Sequence, residues 1–168
     1  MIGQTIAFVL GNLPAFLLVA ALIIAATTKT PAAAAERYLA WLLLLVVGGS
    51  GLWSAFFHLL FPDTAAALIG WQDSPFQLEV GMADLAIGAA ACLSFWRDLN
   101  FKAAVVMINS IFFLGDAYGH VKQMMVADNF APGNAGTPFF IDVFIPVVTI
   151  ALLLAARRTE AAEALRTQ

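Results

Sequence analysis

The chain has 168 residues, 62% of them hydrophobic and 11% charged, with a net charge of −3 and a mean hydropathy of +0.89. Soluble domains carry roughly a quarter charged residues, so ordinary globular packing in water is excluded, and without a basic run so is nucleic-acid binding. The single cysteine, Cys92, excludes an intrachain disulfide and any Cys-rich metal motif; inside an apolar segment it reads as a packed thiol.

Five segments reach spanning length, about 5–27, 39–61, 77–96, 103–126 and 138–156, against the ~20 apolar residues that a bilayer crossing needs. They predict an all-α integral membrane bundle forming a single domain over 1–168. The first segment is expected to be a retained helix rather than a secretory signal, because Met1 to Gln4 contain no Lys or Arg. Thr30-Pro31 ends it, Phe61-Pro62-Asp63 ends the second, and Arg97-Asp98 the third. The Gly- and Pro-rich stretch from Asn129 to Pro138 separates the fourth from the fifth. Seven of the eight basic residues (all but Lys122) fall in the first and third connections and the tail. The positive-inside rule then makes those parts cytoplasmic and the N-terminus external, in the manner of a bacterial inner-membrane protein.

The outer connections are themselves apolar. Asp63 is expected to cap a short helix through Ala65–Ile69 that Gly70 ends, with Trp71 at interface depth. That piece should lie on the membrane surface or fold back over the bundle, while 129–137 reads as a mobile flap. The tail from Thr159 to Gln168 reads as a frayed polar helix.

The fourth segment carries the informative residues. Asn109, Asp116, His120 and Gln123 fall within about 60° of one another at 100° per residue. A seam of this kind must face protein or trapped water, because lipid cannot solvate it. Alternating topology brings His58, Asp84, Asp116, His120 and Asp142 to similar depths in the outer half, with Glu79 nearer the surface. Glu79 and Asp84 lie about 140° apart on one helix, so they face different surroundings, and Glu79 is the one expected to reach water. Gln77, Gly81 and Gly88 share the Asp84 side. Gly51 and Ser54 share that of His58, and Pro146 and Thr149 that of Asp142. Pro14 and Pro146 loosen the backbone, and Gly115-x-x-x-Gly119 would admit a neighbouring helix.

Asp116-x-x-x-His120 puts a carboxylate and an imidazole on adjacent turns, about 6 Å apart. With His58, Asp142 and one of Asp84 or Glu79 it offers ligands for Zn, Cu, Fe or Mn, or alternatively a proton relay or a structural polar network. A haem held by His58 and His120 is a narrower option. Phe112, Phe113, Phe139, Phe140 and Phe144 suit a quinone or lipid pocket or plain helix packing. No nucleotide loop, His-Glu-x-x-His pattern or nucleophile elbow occurs.

Ala83-Asp84-Leu85-Ala86-Ile87-Gly88-Ala89-Ala90, followed by Trp96-Arg97 and Ala103-Ala104, resembles the central pattern of small DoxX-like membrane proteins. It departs from that pattern in having Asp84 where Glu is usual, in its length and in its His pair. The resemblance implies a compact helical bundle and, for some members, a subunit passing electrons towards quinone. The leading expectation is therefore a metal-binding or quinone-linked redox membrane protein. The alternatives are a small proton-coupled transporter or ion channel, and a non-catalytic subunit of a membrane complex. The expected partners are the lipid bilayer, a quinone or other lipid-soluble substrate, and a second copy of the chain.

Overall fold

The computed structural model describes residues 8, 11–30 and 32–166, and these are helical throughout apart from turns, with no strand among them. α1 (Leu13–Thr27) leads into α2 (Ala34–Leu60), the short α3 (Pro62–Ile69), α4 (Phe76–Ser94), α5 (Leu99–Ala127), the single-turn α6 (Pro132–Ala135) and α7 (Thr137–Arg166). Four stretches are long and apolar enough to cross a membrane: Ala34–Leu60, Phe76–Ser94, Leu99–Ala127 and Pro132–Arg166. α1 is apolar but has only 15 residues. Of the remainder of the expected first span, residues 5–7, 9 and 10 lie outside the described residues, as does Pro31. Leu22, Ile23, Leu85, Ile111 and Leu154 point outward and exposed, while the buried centre holds both polar and apolar side chains. That inversion, on helices of this length, is the signature of a multi-pass helical membrane protein.

Each element has a local cause. Pro14 sits in the first turn of α1, where its missing N–H has no partner to lose within that helix. Asp98 caps α5 by accepting from the Phe101 amide at 2.9 Å. Asp128, left-handed at φ 51°, ends it. Pro146 lies inside α7 and withdraws an amide from the carbonyl of Asp142. α7 then continues to Arg166, so the tail beyond 156 prolongs the helix.

α2 packs chiefly on α4, and α5 on α7. The α2/α4 crossing is backbone on backbone. A Cβ on Gly88 would stand 2.9 Å from the Leu52 nitrogen, and one on Gly51 would stand 3.0 Å from the Gly88 Cα. Just before this crossing α2 is wound as a π-helix over Leu42–Gly49, a local widening that often marks functional regions. Leu39, Leu42, Leu43, Val46, Val47 and Ile145 make the apolar core. By contrast, the Gly115/Gly119 pair meets no helix among the described residues. Nothing lies within 4 Å of a Cβ built on Gly115, and Gly119 touches only the Trp71 ring.

The two ends of the bundle are closed differently. At one end, here the tail end, Lys102 is buried in the first turn of α5. Its Nζ lies 3.1 Å from Glu36 Oε1 on α2 and also donates to the Arg97 carbonyl. At the other, the cap end, α3 folds back over the bundle and stops at Gly70, whose φ of 70° suits glycine. Asp63 falls in the first turn of α3, but no side chain caps that helix; Pro62 opens it instead. The expected flap is built in. Asn129 Nδ2 donates to the carbonyls of Ile69 at 2.9 Å and Gly70 at 3.3 Å, and Gly133 lies against the Leu68 carbonyl. Asn134 is wholly buried.

Candidate functional site

Under the cap, two helix pairs present the same arrangement. In the α2/α4 pair, His58 sits in the last turn of α2 with Nδ1 on Gln77 Oε1 and Nε2 3.9 Å from Asp84 Oδ2. In the α5/α7 pair, His120 has Nδ1 2.8 Å from Asn134 Oδ1 and Nε2 3.5 Å from Asp142 Oδ2. The order in the chain is also shared. A histidine near the end of one long helix is followed by an amide at its Nδ1 side and then by an aspartate in the returning helix; the amide Gln77 stands in the first turn of that helix, whereas Asn134 belongs to the short helix before it. Gln77 precedes Asp84 by seven residues and Asn134 precedes Asp142 by eight. Asp116, one turn before His120, lies within electrostatic reach of Asp84, Asp142 and His120 and so joins the two couples into one layer.

The hydrogen bonds around Asn134 fix the chemistry of His120. The Trp71 indole, which can only donate, reaches Asn134 Oδ1 at 3.1 Å, while Asn134 Nδ2 donates to the carbonyls of His120 at 3.2 Å and Asn129 at 2.9 Å. The amide therefore cannot be turned round, and His120 Nδ1 must carry a proton to donate to Oδ1. In the neutral ring Nε2 would then be a bare lone pair facing Asp142 Oδ2, two acceptors in opposition. A proton between them removes the conflict, whether it sits on the imidazole or on the carboxyl. In the His120–Asp142 couple the geometry thus leaves room for one proton between histidine and aspartate; in the His58–Asp84 couple the same types of group face each other at 3.9 Å.

Burial makes this arrangement obligatory. The side chains of His120 and Asp142 are 9% and 12% exposed, and those of His58 and Asp84 19% and 10%. Three carboxylates close together in a bundle that lipid surrounds are costly as anions, and Asp84 and Asp142 each have a histidine Nε2 beside them. Trp71 and Phe139 stand against His120 with ring centroids 6.2 and 6.5 Å away, so the cap keeps bulk water off its ring.

Of the residues predicted to form a site, His58, Asp84, Asp116, His120 and Asp142 do come together, and Glu79 is exposed away from them. Among the described residues no group of three His, Cys, Asp or Glu side chains is gathered closely enough to hold a metal ion. Both ring nitrogens of each histidine are already directed at an amide and a carboxylate. Asn134 was missed, because a Pro-Gly-Asn-Ala-Gly stretch reads as a loop. Its signal lay in an amide two residues past a helix-starting proline, next to the outer end of the histidine helix. Gln77 was recognised only as lying on the Asp84 side. Phe140 and Phe144, two of the five aromatics expected to line a pocket, border an open apolar groove of about 630 Å³ between α1 and α7, together with Ala15, Leu18 and Thr137.

No curated protein and no solved structure matches the chain. One family model does, over residues 11–162 and hence the whole bundle, where the likeness to DoxX-like proteins rested on residues 83–104 alone. The chain belongs to that family, a family of unknown function (DUF6790).

Proposed function

We propose that this is a proton-coupled transport protein of the bacterial inner membrane. It would bind and release protons at the layer formed by His58, Asp84, Asp116, His120 and Asp142, with the cap end external and the tail end cytoplasmic. The orientation rests on Lys29, Arg37, Arg97, Lys102, Arg157, Arg158 and Arg166, which belong to the tail end. The single observation that carries the proton reading is the doubled couple. Each histidine turns Nδ1 to an amide and Nε2 to an aspartate, and Asp116 lies between the couples. Such a layer exchanges whole protons with little motion, since only the proton between Nε2 and the carboxylate changes owner. Pro146, four residues after Asp142, gives α7 a soft point at which that exchange can be converted into movement.

A second reading is favoured by the groove between α1 and α7. Ile141 and Val143 line it on either side of Asp142, so a quinone or other lipid-soluble substrate lying there would reach the same proton site.

The test is proton uptake by the detergent-solubilised protein after a small acid pulse, read with an indicator dye. The wild type should take up about two more protons per chain than a His58→Gln, His120→Gln double variant between about pH 4 and 9, the range in which imidazole and buried carboxyl groups exchange protons. Each single variant should lose about half of that difference. Equal uptake by wild type and double variant would contradict the reading. If instead equimolar Zn, Cu, Fe or Mn binds tightly and releases those protons, the metal-site expectation would replace it.

A further inference from the structure

A second polar layer lies deeper in the bundle. Asn109 on α5 is 1% exposed, and among the described residues neither its Oδ1 nor its Nδ2 has a partner; the buried hydroxyls of Ser110 and of Ser50 on α2 are likewise without one there. Ser50 precedes His58 by eight residues, Asn109 precedes Asp116 by seven, and Thr149 follows Asp142 by seven. At 1.5 Å per residue all of these lie about 10–12 Å below the His–carboxylate layer. Among them only Thr149 is satisfied internally, by the carbonyls of Ile145 and Pro146. Buried amides and hydroxyls are expected to be hydrogen-bonded, so these groups call for a ligand able both to donate and to accept.

The layer also belongs to a longer series. Lys102, Asn109, Asp116 and Gln123 recur every seven residues along α5, and at 100° per residue all four fall within about 60°. Lys102 and Asn109 are buried, and Asp116 and Gln123 are partly so, which makes this the inward face of the helix. Successive members stand about 10 Å apart along the axis. That is too far for a direct hydrogen bond of about 3 Å, and about the reach of two or three waters in a row. Lys102 closes the column at the tail end, against Glu36.

We infer that Asn109, Ser110 and Ser50 bind a cluster of ordered water, and that this water connects Asp116 with the Lys102–Glu36 end, so that the α5 column is a hydrated proton path through the bundle. Water is the ligand that fits. It satisfies donors and acceptors at once, typically making about three hydrogen bonds in a buried polar site, and no carboxylate stands at this level to favour a cation. The use of the path for protons rests on the proposed function; the water itself rests on the unpartnered amide and hydroxyls.

Two measurements test it on the full chain in lipid bilayers. In solid-state NMR, magnetisation should pass from water to the Asn109 side-chain amide as efficiently as to amides of exposed turns; no transfer would overturn the water cluster. In liposomes carrying an internal pH dye and clamped by potassium and valinomycin, the wild type should conduct protons. Asn109→Leu should lower the flux at least tenfold, and Asn109→Ser should retain most of it. Flux that is absent in the wild type, or the same in wild type and Asn109→Leu, would overturn the path. Proton uptake in detergent separates this failure from that of the proposed function, because the His–carboxylate couples should take up their protons in Asn109→Leu as in the wild type.

Discussion

Asn134→Leu is expected to lower the stability of the bundle by about 3 kcal/mol and to abolish proton exchange at His120. Leucine shares the γ-branched outline of asparagine, is larger, and has none of its polar atoms. The change strands the Trp71 indole N–H, His120 Nδ1 and the carbonyls of His120 and Asn129, all of which Asn134 now satisfies. A buried polar group left unpaired costs about 1–3 kcal/mol, and partial rehydration of the two carbonyls brings the sum of four down to that figure. Thermal denaturation in detergent reads the stability. Proton uptake reads the second effect, because without an acceptor at Nδ1 the ring is free to adopt the other tautomer and no longer needs the proton shared with Asp142. Asn134→Asp separates the two roles, keeping an acceptor for Trp71 and His120 while losing the two donations to carbonyl oxygens. A Leu variant as stable as the wild type would contradict the assigned network.

The second large effect is expected at the opposite end. Lys102→Met should destabilise the protein by about 2–3 kcal/mol, and adding Glu36→Leu should recover most of the loss. Removing one member of a buried ion pair costs about 3–5 kcal/mol because the other is left as an uncompensated charge. The figure is reduced here because the Glu36 side chain is 29% exposed, although that of Lys102 is only 4% exposed. Replacing both members by apolar residues removes the stranded charge, so the double variant should melt near the wild type. Additive losses in the double variant would mean that the pair contributes through the helix ends separately, Lys102 through the Arg97 carbonyl and Glu36 through the N-terminus of α2.

The bundle was legible because its signals are long. Four of the five predicted spans occur at full length, since about 20 apolar residues between Pro, Gly and charged breaks have few other outcomes in water or lipid. The layer of ionisable groups was legible for the same reason. Alternating helices of known rise point His58 towards Asp84 and His120 towards Asp142, the pairs found facing each other, and helical periodicity separates Glu79 from Asp84.

What stayed hidden depends on contacts that no spacing encodes. Asn134 lies fourteen residues after His120, in a turn whose packing on α3 is set by Gly133 against the Leu68 carbonyl. Lys102 reads as an interfacial cation, and only the distance to Glu36, sixty-six residues earlier, reveals a buried clamp. The small-residue motif at Gly115 and Gly119 was visible and meets no helix among the described residues, while the close crossing uses Gly51 and Gly88. A glycine permits approach but does not say from which helix the neighbour comes. The doubled His–amide–carboxylate arrangement is hard to see as a repeat, because the two connections differ in length and the shared flanking residues are few: an alanine three before each histidine (Ala55, Ala117) and a proline two before each amide (Pro75, Pro132).

The most direct test of the central claim is ¹⁵N NMR of histidine side chains in bilayers as a function of pH. The chain has only two histidines, and a His58→Gln variant assigns both. The account predicts that Nδ1 of His120 stays protonated throughout and that the change on titration is confined to Nε2, with a coupling to the Asp142 carboxyl that disappears in Asp142→Asn. A ring that is protonated only at Nε2 when neutral, or that does not respond to pH at all, would contradict it.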